Sequence, residues 1–557
     1  MKKYIKLLTL SALLFTLTLF SSCSKEDNSY SVIPEKASMV LIFNGKTLSA
    51  KAGIESFAKT NTFNLIKSQL SEEDKADLET FEPVLENSAE SGIDLKKDYF
   101  FFTYKKENKN YFSLYFNLSD KTKFEGLLSK INEKDGQKTE IKKDGAFNYM
   151  YPNEDLFFVW DNSRLLFLIS ENNDEKINLK EAESLMNQKN SASINSKKDF
   201  ADFSKNIKDI ALWFDYSAIF DNLPPMQKML LQSKMPYDMT GTIILLNTDF
   251  RKGEIVTNYN TLLNEEMKKM MEDNKIIKDK YNTDLLNIVP EKTFADLSFA
   301  FDFLNYYKMM MDMLSNNQTN TEMFENQFKE QTGMSIDQAL ADFSGEVSVN
   351  IHKIEMKEVQ KIDNMAYYQA GAPEGQRDKF TKTVSEPVVY YSVALKMNSD
   401  KLFNMIVQQA GQAIEKIDNF YKISTGDFTN YFGLFDNKVL FTNDSMLIRD
   451  ASDGKLDDKS LENSQIASNL KSFPAYLLIN LDLDSYPQAV KKFIEENMDN
   501  EGESAAVFDL LSVYKTLEMK PKSNTEADLI IKLKDDSKNS LEVILNSFDR
   551  NIQAIND

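Results

Sequence analysis

The chain has 557 residues, with 66 Lys and Arg against 86 Asp and Glu, for a net charge of −20. So acidic a chain repels phosphate backbones, which argues against a nucleic-acid partner. A single cysteine, Cys23, excludes disulfide frameworks and cysteine-bound metals, and a single histidine, His352, excludes histidine-rich zinc sites and Ser-His-Asp triads. Apolar residues make up 42% of the chain and Gly and Pro are scarce, so a folded body is expected, long enough for two to four domains.

Residues 1–22 read as a signal peptide: Lys2, Lys3 and Lys6, then an uncharged apolar run from Leu7 to Phe20, then Ser21 and Ser22. The run falls short of the roughly 20 residues that a permanent span needs. Small-small-Cys at its end resembles a bacterial lipobox, which implies cleavage between Ser22 and Cys23 and acylation of Cys23. Two or more acyl chains anchor a protein stably in a membrane. Phe20 departs from the leucine usual three places before the cysteine. Residues 23–31 form a tether. Within it Lys25, Glu26 and Asp27 resemble the surface-export signal of Bacteroidota lipoproteins. Loss of the signal takes the charge from −20 to −23, because three lysines and no acids leave with it.

The remaining chain is written twice. "VIPEKASMVLIF" from Val32 matches "IVPEKTFADLSF" from Ile288. "YFSLYFNLSDKTKFEGLL" from Tyr111 matches "YYSVALKMNSDKLFNMIV" from Tyr390, each reading strand, polar turn, helix. Asp161-Asn162 and Asp436-Asn437 each sit between apolar runs and read as hairpin turns. "NIKDIALWFDY" from Asn206 pairs with "NLKSFPAYLLINLD" from Asn469, and "TGTIILLNTD" near Gly241 with "EADLIIKLKDD" near Asp528. Two tandem copies are therefore expected, at 32–280 and 285–557. A polar helix over Leu262–Asn282 would join them. Glu355–Pro387 lacks sustained periodicity and reads as a long loop near 355–387, and "DNEGES" at Asp499–Ser504 as a second loop. Alternating strands, hairpins and single helices indicate an antiparallel α+β fold. No Gly-rich strand-to-helix turn of the dinucleotide or P-loop type is present, so no cofactor is expected.

The lipobox, the early "IPEKA…VLIFN" strand and the late "ADLIIKLKDDSKNSLEVIL" segment together resemble a Bacteroidota lipoprotein family defined by a domain of unknown function. The resemblance implies an envelope lipoprotein and supplies no catalytic residues.

Candidate chemistry is thin. In "GEVSVNIHKIE", Val347, Val349 and Ile351 are expected on the buried face, leaving His352 solvated beside Glu346, Ser348 and Asn350. Asn480, Asp482 and Asp484 share a strand face, and Asp450–Asp458 forms an acidic loop. Oxygen ligands of this kind suit calcium, but neither segment has the EF-hand spacing, and no metal site is assigned. A glycoside hydrolase needs only two carboxylates. Trp160 and Trp213 lie in apolar strands, and Tyr115 and Tyr390 are the aromatics left to serve as a sugar platform, or simply to pack across strands. The Met-rich Tyr306–Asn317 reads as a helix filling its contact with a sheet. The expectation is a lipid-anchored outer-membrane protein with a binding or structural role toward an unidentified protein or glycan. The alternatives are a carboxylate-based glycan-active enzyme and a calcium-stabilised adhesion module.

Overall fold

The computed structural model describes residues 29–53, 59–64, 87–134, 140–153, 156–171, 174–217, 226–227, 239–316, 321–371, 373–425, 428–456, 459–496 and 501–551. The signal, Ser22, Cys23, Lys25, Glu26 and Asp27 lie outside them. The chain forms two compact units, 1–268 with 525–557, and 269–524.

The first unit carries β1 (Ala37–Phe43), β2 (Tyr99–Lys106), β3 (Lys109–Asn117), β4 (Lys142–Asp144), β5 (Phe147–Asn153), β6 (Leu156–Trp160), β7 (Arg164–Ser170), β8 (Ile210–Asp215), β9 (Ile243–Arg251) and β10 (Glu254–Leu262). They pair antiparallel in the order β4-β5-β6-β7-β3-β2-β1-β8-β9-β10. One face buries Val40, Ile42, Phe102, Tyr115 and Trp213; the other buries Phe43, Tyr99, Phe116 and Trp160. Helices close these faces and begin at side-chain caps: Asn44 accepts from Thr47 N ahead of Gly45–Ala52, and Asp174 accepts from Lys176 N and Ile177 N ahead of Glu175–Met186.

The second unit carries β11 (Ala295–Ala300), β12 (Phe343–Ile362), β13 (Thr381–Met397), β14 (Ile414–Ile417), β15 (Phe420–Thr425), β16 (Phe428–Phe435), β17 (Lys438–Thr442), β18 (Ala475–Asn480) and β19 (Tyr514–Pro521). Their order is β14-β15-β16-β17-β13-β12-β11-β18-β19, again antiparallel throughout. Numbered from each unit's own first strand, both sheets read 4-5-6-7-3-2-1-8-9. The isolated bridge Pro34–Ser193 in the first unit has its counterpart in Pro290–Ser460 in the second. β20 (Glu526–Leu533) belongs to the first unit and pairs with β10.

The fold is α+β, with helices interleaved among antiparallel strands. Four of the five matched segment pairs fall on strands of the same ordinal. The fifth does not: "TGTIILLNTD" is β9, whereas "EADLIIKLKDD" is β20, the tenth strand counted on from β11 although it lies in the first unit. Two apolar alternating strands in sequence look alike one strand out of step.

Three local expectations are corrected. Glu355–Pro387 is not a loop; its ends are the outer halves of β12 and β13, the two longest strands described. The joining helix is shorter than expected, Glu265–Asn274, because Leu262 still belongs to β10 and Lys275 turns left-handed. Glu501–Ser504 opens the helix Glu501–Ser512 rather than a loop. The Met-rich segment is the helix Phe303–Asn316, with Met309 buried.

Candidate functional site: a two-stranded arm and its polar root

β12 and β13 outrun their neighbours. β11 stops pairing with β12 at Ile351, and β17 stops pairing with β13 at Ser392. From Lys353–Tyr390 to Ile362–Thr381 the two strands pair only with each other, over ten residue pairs. At roughly 3.3 Å per residue this arm is about 33 Å long.

A ribbon of two strands has two open edges, each a template for another strand. Here both are guarded. Pro387 offers no N–H on β13. Lys353, Lys357 and Lys361 recur along β12 and are held by ion pairs: Lys353 with Glu355 at 2.7 Å, Lys357 with Glu355 at 3.3 Å, and Lys361 with Glu386. The Tyr390 hydroxyl donates to Glu355 Oε1 at 2.5 Å, and the Lys353 and Lys357 ammonium groups stand 4.6 and 4.9 Å from its ring centre. The bonds from Lys353 and then Tyr390 bring the Glu355 carboxyl down to about 2. Burial, then the bond to Glu355, raises the Tyr390 hydroxyl.

The tip is different. Asp363 caps the short helix Asn364–Ala370, accepting from Ala366 N. Tyr367 turns inward against the Tyr368 and Phe380 rings, at 5.3 and 5.9 Å. Met365 and Tyr368 are 71% and 72% exposed, and Ile362 is also exposed.

At the root the arm is tied to β16, β17 and the helix that follows. Asn443 accepts from Tyr391 N at 3.0 Å and donates to Val389 O at 2.8 Å, while Tyr391 donates its hydroxyl to Asn430 at 2.8 Å. His352 Nε2 lies 3.3 Å from Asp444 Oδ2. The expectation of a solvated histidine is overturned: His352 is only 6% exposed. The face assignment of β12 holds at Val347, which is buried, and fails beyond it. Ser348 and Asn350 are fully buried, whereas Val349 is 38% exposed and its β11 partner Leu297 is 37%.

Behind the root runs a buried polar row, Asp296–Asn350–Ser392–Thr442, across β11, β12, β13 and β17. The same row in the first unit, on strands of the same ordinals, reads Val40–Phe102–Ser113–Leu168. Burial raises the Asp296 carboxyl to about 6, against the lowering effect of Ser298, Ser348 and Asn350. Tyr281 and Tyr476 face the same interior; burial, then Asp296 for Tyr281 and Glu518 for Tyr476, pushes their hydroxyls up.

The other candidate residues are not gathered into a site. Trp160, Trp213, Tyr115 and Tyr390 are all buried, and Tyr115 stacks on Phe100 at 4.6 Å, so none offers a face to a sugar. Asn480 ends β18 and Asp482 caps the turn Leu483–Ser485, so Asn480, Asp482 and Asp484 do not share a strand face. Asp450 lies in the helix Ser445–Ser452, and Asp458 falls outside the described residues. No group of three or more His, Cys, Asp or Glu placed to hold a metal occurs among the described residues, and no described helix is long and apolar enough to cross a membrane. The arm itself was missed in sequence. The available signal was the alternation Lys353, Glu355, Lys357, which puts three charges on one strand face.

These features define a two-unit antiparallel α+β protein whose most distinctive described surface is a guarded ribbon with an apolar tip. The chain belongs to the family of the domain of unknown function DUF4836, which matches residues 30–541. No curated protein matches it. Two solved structures are similar in part: crystal form I of TP0453, at 13% identity over 45% of this chain and 87% of that one with a TM-score of 0.24, and crystal form IV of TP0453, at 14% over 44% and 84% with 0.25.

Proposed function

We propose that this protein is a lipid-anchored component of the outer membrane, displayed at the cell surface, that works by binding through its arm rather than by catalysis. Cys23 carries the lipid, Ser22 is the last residue of the cleaved signal, and Lys25, Glu26 and Asp27 direct the chain outward. The two units are tandem copies of one fold, a reading supported by their common strand order. The observation that carries the binding role is the arm. It spends about 33 Å of paired backbone to hold Met365 and Tyr368 in solvent, a cost without use unless something meets them.

The enzyme reading finds its best foothold at Asp296. That carboxyl is 1% exposed and faces hydroxyls and amides, out of reach of a polysaccharide, so we do not favour it.

Growth with an alkyne fatty acid, followed by mass spectrometry of the N-terminal peptide, tests the anchor: an acylated Cys23 is expected, and an unmodified one sinks it. Protease treatment of intact cells tests display. Cleavage within the chain is expected, and full protection would place the protein inside.

A further inference from the structure

We infer that the tip of the arm is a second membrane contact, seating Met365 and Tyr368 in the headgroup region of an anionic bilayer; this rests on the envelope reading above. Three observations converge on a lipid surface. The first is charge. The chain carries −20, yet residues 353–390 hold six basic and six acidic residues and are neutral, and the distal part, 361–382, holds four basic against three acidic. The arm therefore lacks the negative charge of the chain as a whole, and an anionic surface repels it less than it repels the protein at large.

The second is length. Charges are screened beyond roughly 8 Å at physiological ionic strength, and the arm extends about 33 Å beyond its last pairing with β11 and β17. The tip can touch anionic lipid while the acidic sheet at its root stays outside the surface field.

The third is the chemistry of the end. Tyrosine sits well at a membrane–water boundary, and methionine adapts to an irregular apolar contact. Ile362 adds apolar area, and Lys361 and Lys382 are exposed beside it. The open edges, where a partner chain would add a strand, are blocked by Pro387 and the lysine ladder, which directs contact to the tip.

The test uses full-length lipidated protein carrying Tyr368→Trp, reconstituted into vesicles of phosphatidylethanolamine and phosphatidylglycerol. Trp160 and Trp213 are buried and supply a constant background. Brominated acyl chains in the bilayer are expected to quench the new tryptophan by a third or more. A further Met365→Glu change should abolish the quenching while the melting curve is unchanged. Unquenched emission from the introduced tryptophan, in vesicles that hold the protein, would overturn the inference and leave the anchor standing. Protein that fails to stay with the vesicles, and lacks acyl mass on Cys23, would instead overturn the envelope reading. A photoreactive side chain at position 368 in cells should yield lipid adducts, and adducts to a protein would likewise overturn the inference.

Discussion

Ser348 donates its hydroxyl to the Asp296 carboxylate at 3.1 Å, on paired strands and out of reach of solvent. Ser298 donates to the other carboxylate oxygen at 2.9 Å. The first unit builds the same part of its sheet with Val40 and Phe102 and needs no such bonds. The second unit therefore holds a carboxylate where the architecture runs equally well on hydrocarbon. It bears the desolvation cost that raises Asp296 to about 6.

Replacing Asp296 with Asn should stabilise the protein at neutral pH. The folded-state value lies above the ordinary 3.8, so folding favours the protonated form. Stability from this group is complete below pH 4 and is lost as pH rises through 6. At 1.36 kcal/mol per unit the loss is on the order of 3 kcal/mol. Urea unfolding of Asp296→Asn should show a gain of about that size at pH 7, shrinking to nothing near pH 4. An equal effect at both values would show that the carboxylate ionises freely in the fold.

Lys438 is buried and points its ammonium at Asp284, 3.2 Å away, and at the Asn287 amide oxygen, while Lys396 meets the other oxygen of Asp284 at 2.7 Å. Asp284→Ala should cost about 2 kcal/mol. That is less than the roughly 3–5 kcal/mol of a fully enclosed pair, because Asp284 is half open to water and both Asn287 and the exposed Asp436 carboxylate, 3.7 Å from the ammonium, remain. Adding Lys438→Met should recover part of the loss, since the buried ammonium that lost its nearest carboxylate is then gone. The bonds from Lys396 and Lys438 hold the Asp284 carboxyl below its usual range. Its contribution is therefore present at neutral pH and disappears as pH falls through that lowered value. Strict additivity in a denaturation cycle would rule out the coupling.

Strand positions were legible because β3 and β13 alternate, and the turn at Asp436-Asn437 was legible because both residues suit the left-handed region they occupy. Which face of β12 would be covered was not. Alternation separates two faces and says nothing about which one the helices cover. A face of Ser348, Asn350 and His352 can be buried because each finds a polar partner on another segment, Asp296, Thr293 and Asp444 respectively. The arm was illegible for the opposite reason. Beyond Met356 the ribbon is mostly exposed on both strands and has little buried face to impose an apolar rhythm, so Glu355–Pro387 reads as loop. The neutrality of 353–390 was present in the sequence, but it meant nothing until those residues were brought together.

Asp444 does two jobs that substitution can separate. Its Oδ1 caps the helix Ser445–Ser452, accepting from Met446 N at 2.9 Å, and its Oδ2 faces His352. Burial raises this carboxyl, but the bonds from His352 and the helix amides outweigh it and leave the value lowered. Asp444→Asn keeps a cap and loses the charge; Asp444→Ala loses both and should cost about 1 kcal/mol more. The stabilising effect of Asp444 fades as pH falls, the reverse of Asp296. Unfolding of the two variants from pH 2 to 8 should therefore show a constant gap between them, and a gap to the native protein that narrows only below the ordinary carboxyl value of 3.8. A gap to the native protein that stays constant down to pH 2 would show that the charge of Asp444 contributes nothing.

Tyr390 and Glu355 lock the proximal face of the arm, so their loss should loosen the ribbon without unfolding the units. Glu355 gathers the Tyr390 hydroxyl and two lysines at one carboxylate, and an isolated two-stranded ribbon is only marginally stable in water. Glu355→Gln should speed amide exchange across 353–362 and 381–390 by about tenfold. Exchange at the β12 residues paired with β11, such as Val349, should stay slow, because that backbone is bonded on both sides. Tyr390→Phe keeps the ring between Lys353 and Lys357 and should give a smaller effect of the same sign. The carboxyl near 2 makes the lock insensitive to pH through the neutral range, so the exchange pattern, corrected for intrinsic rates, should be the same at pH 6 and pH 8. Equal exchange in the variants and the native protein would show that cross-strand backbone bonds alone hold the arm. Faster exchange spread over the whole second unit would show that the arm is continuous with the core rather than an appendage of it.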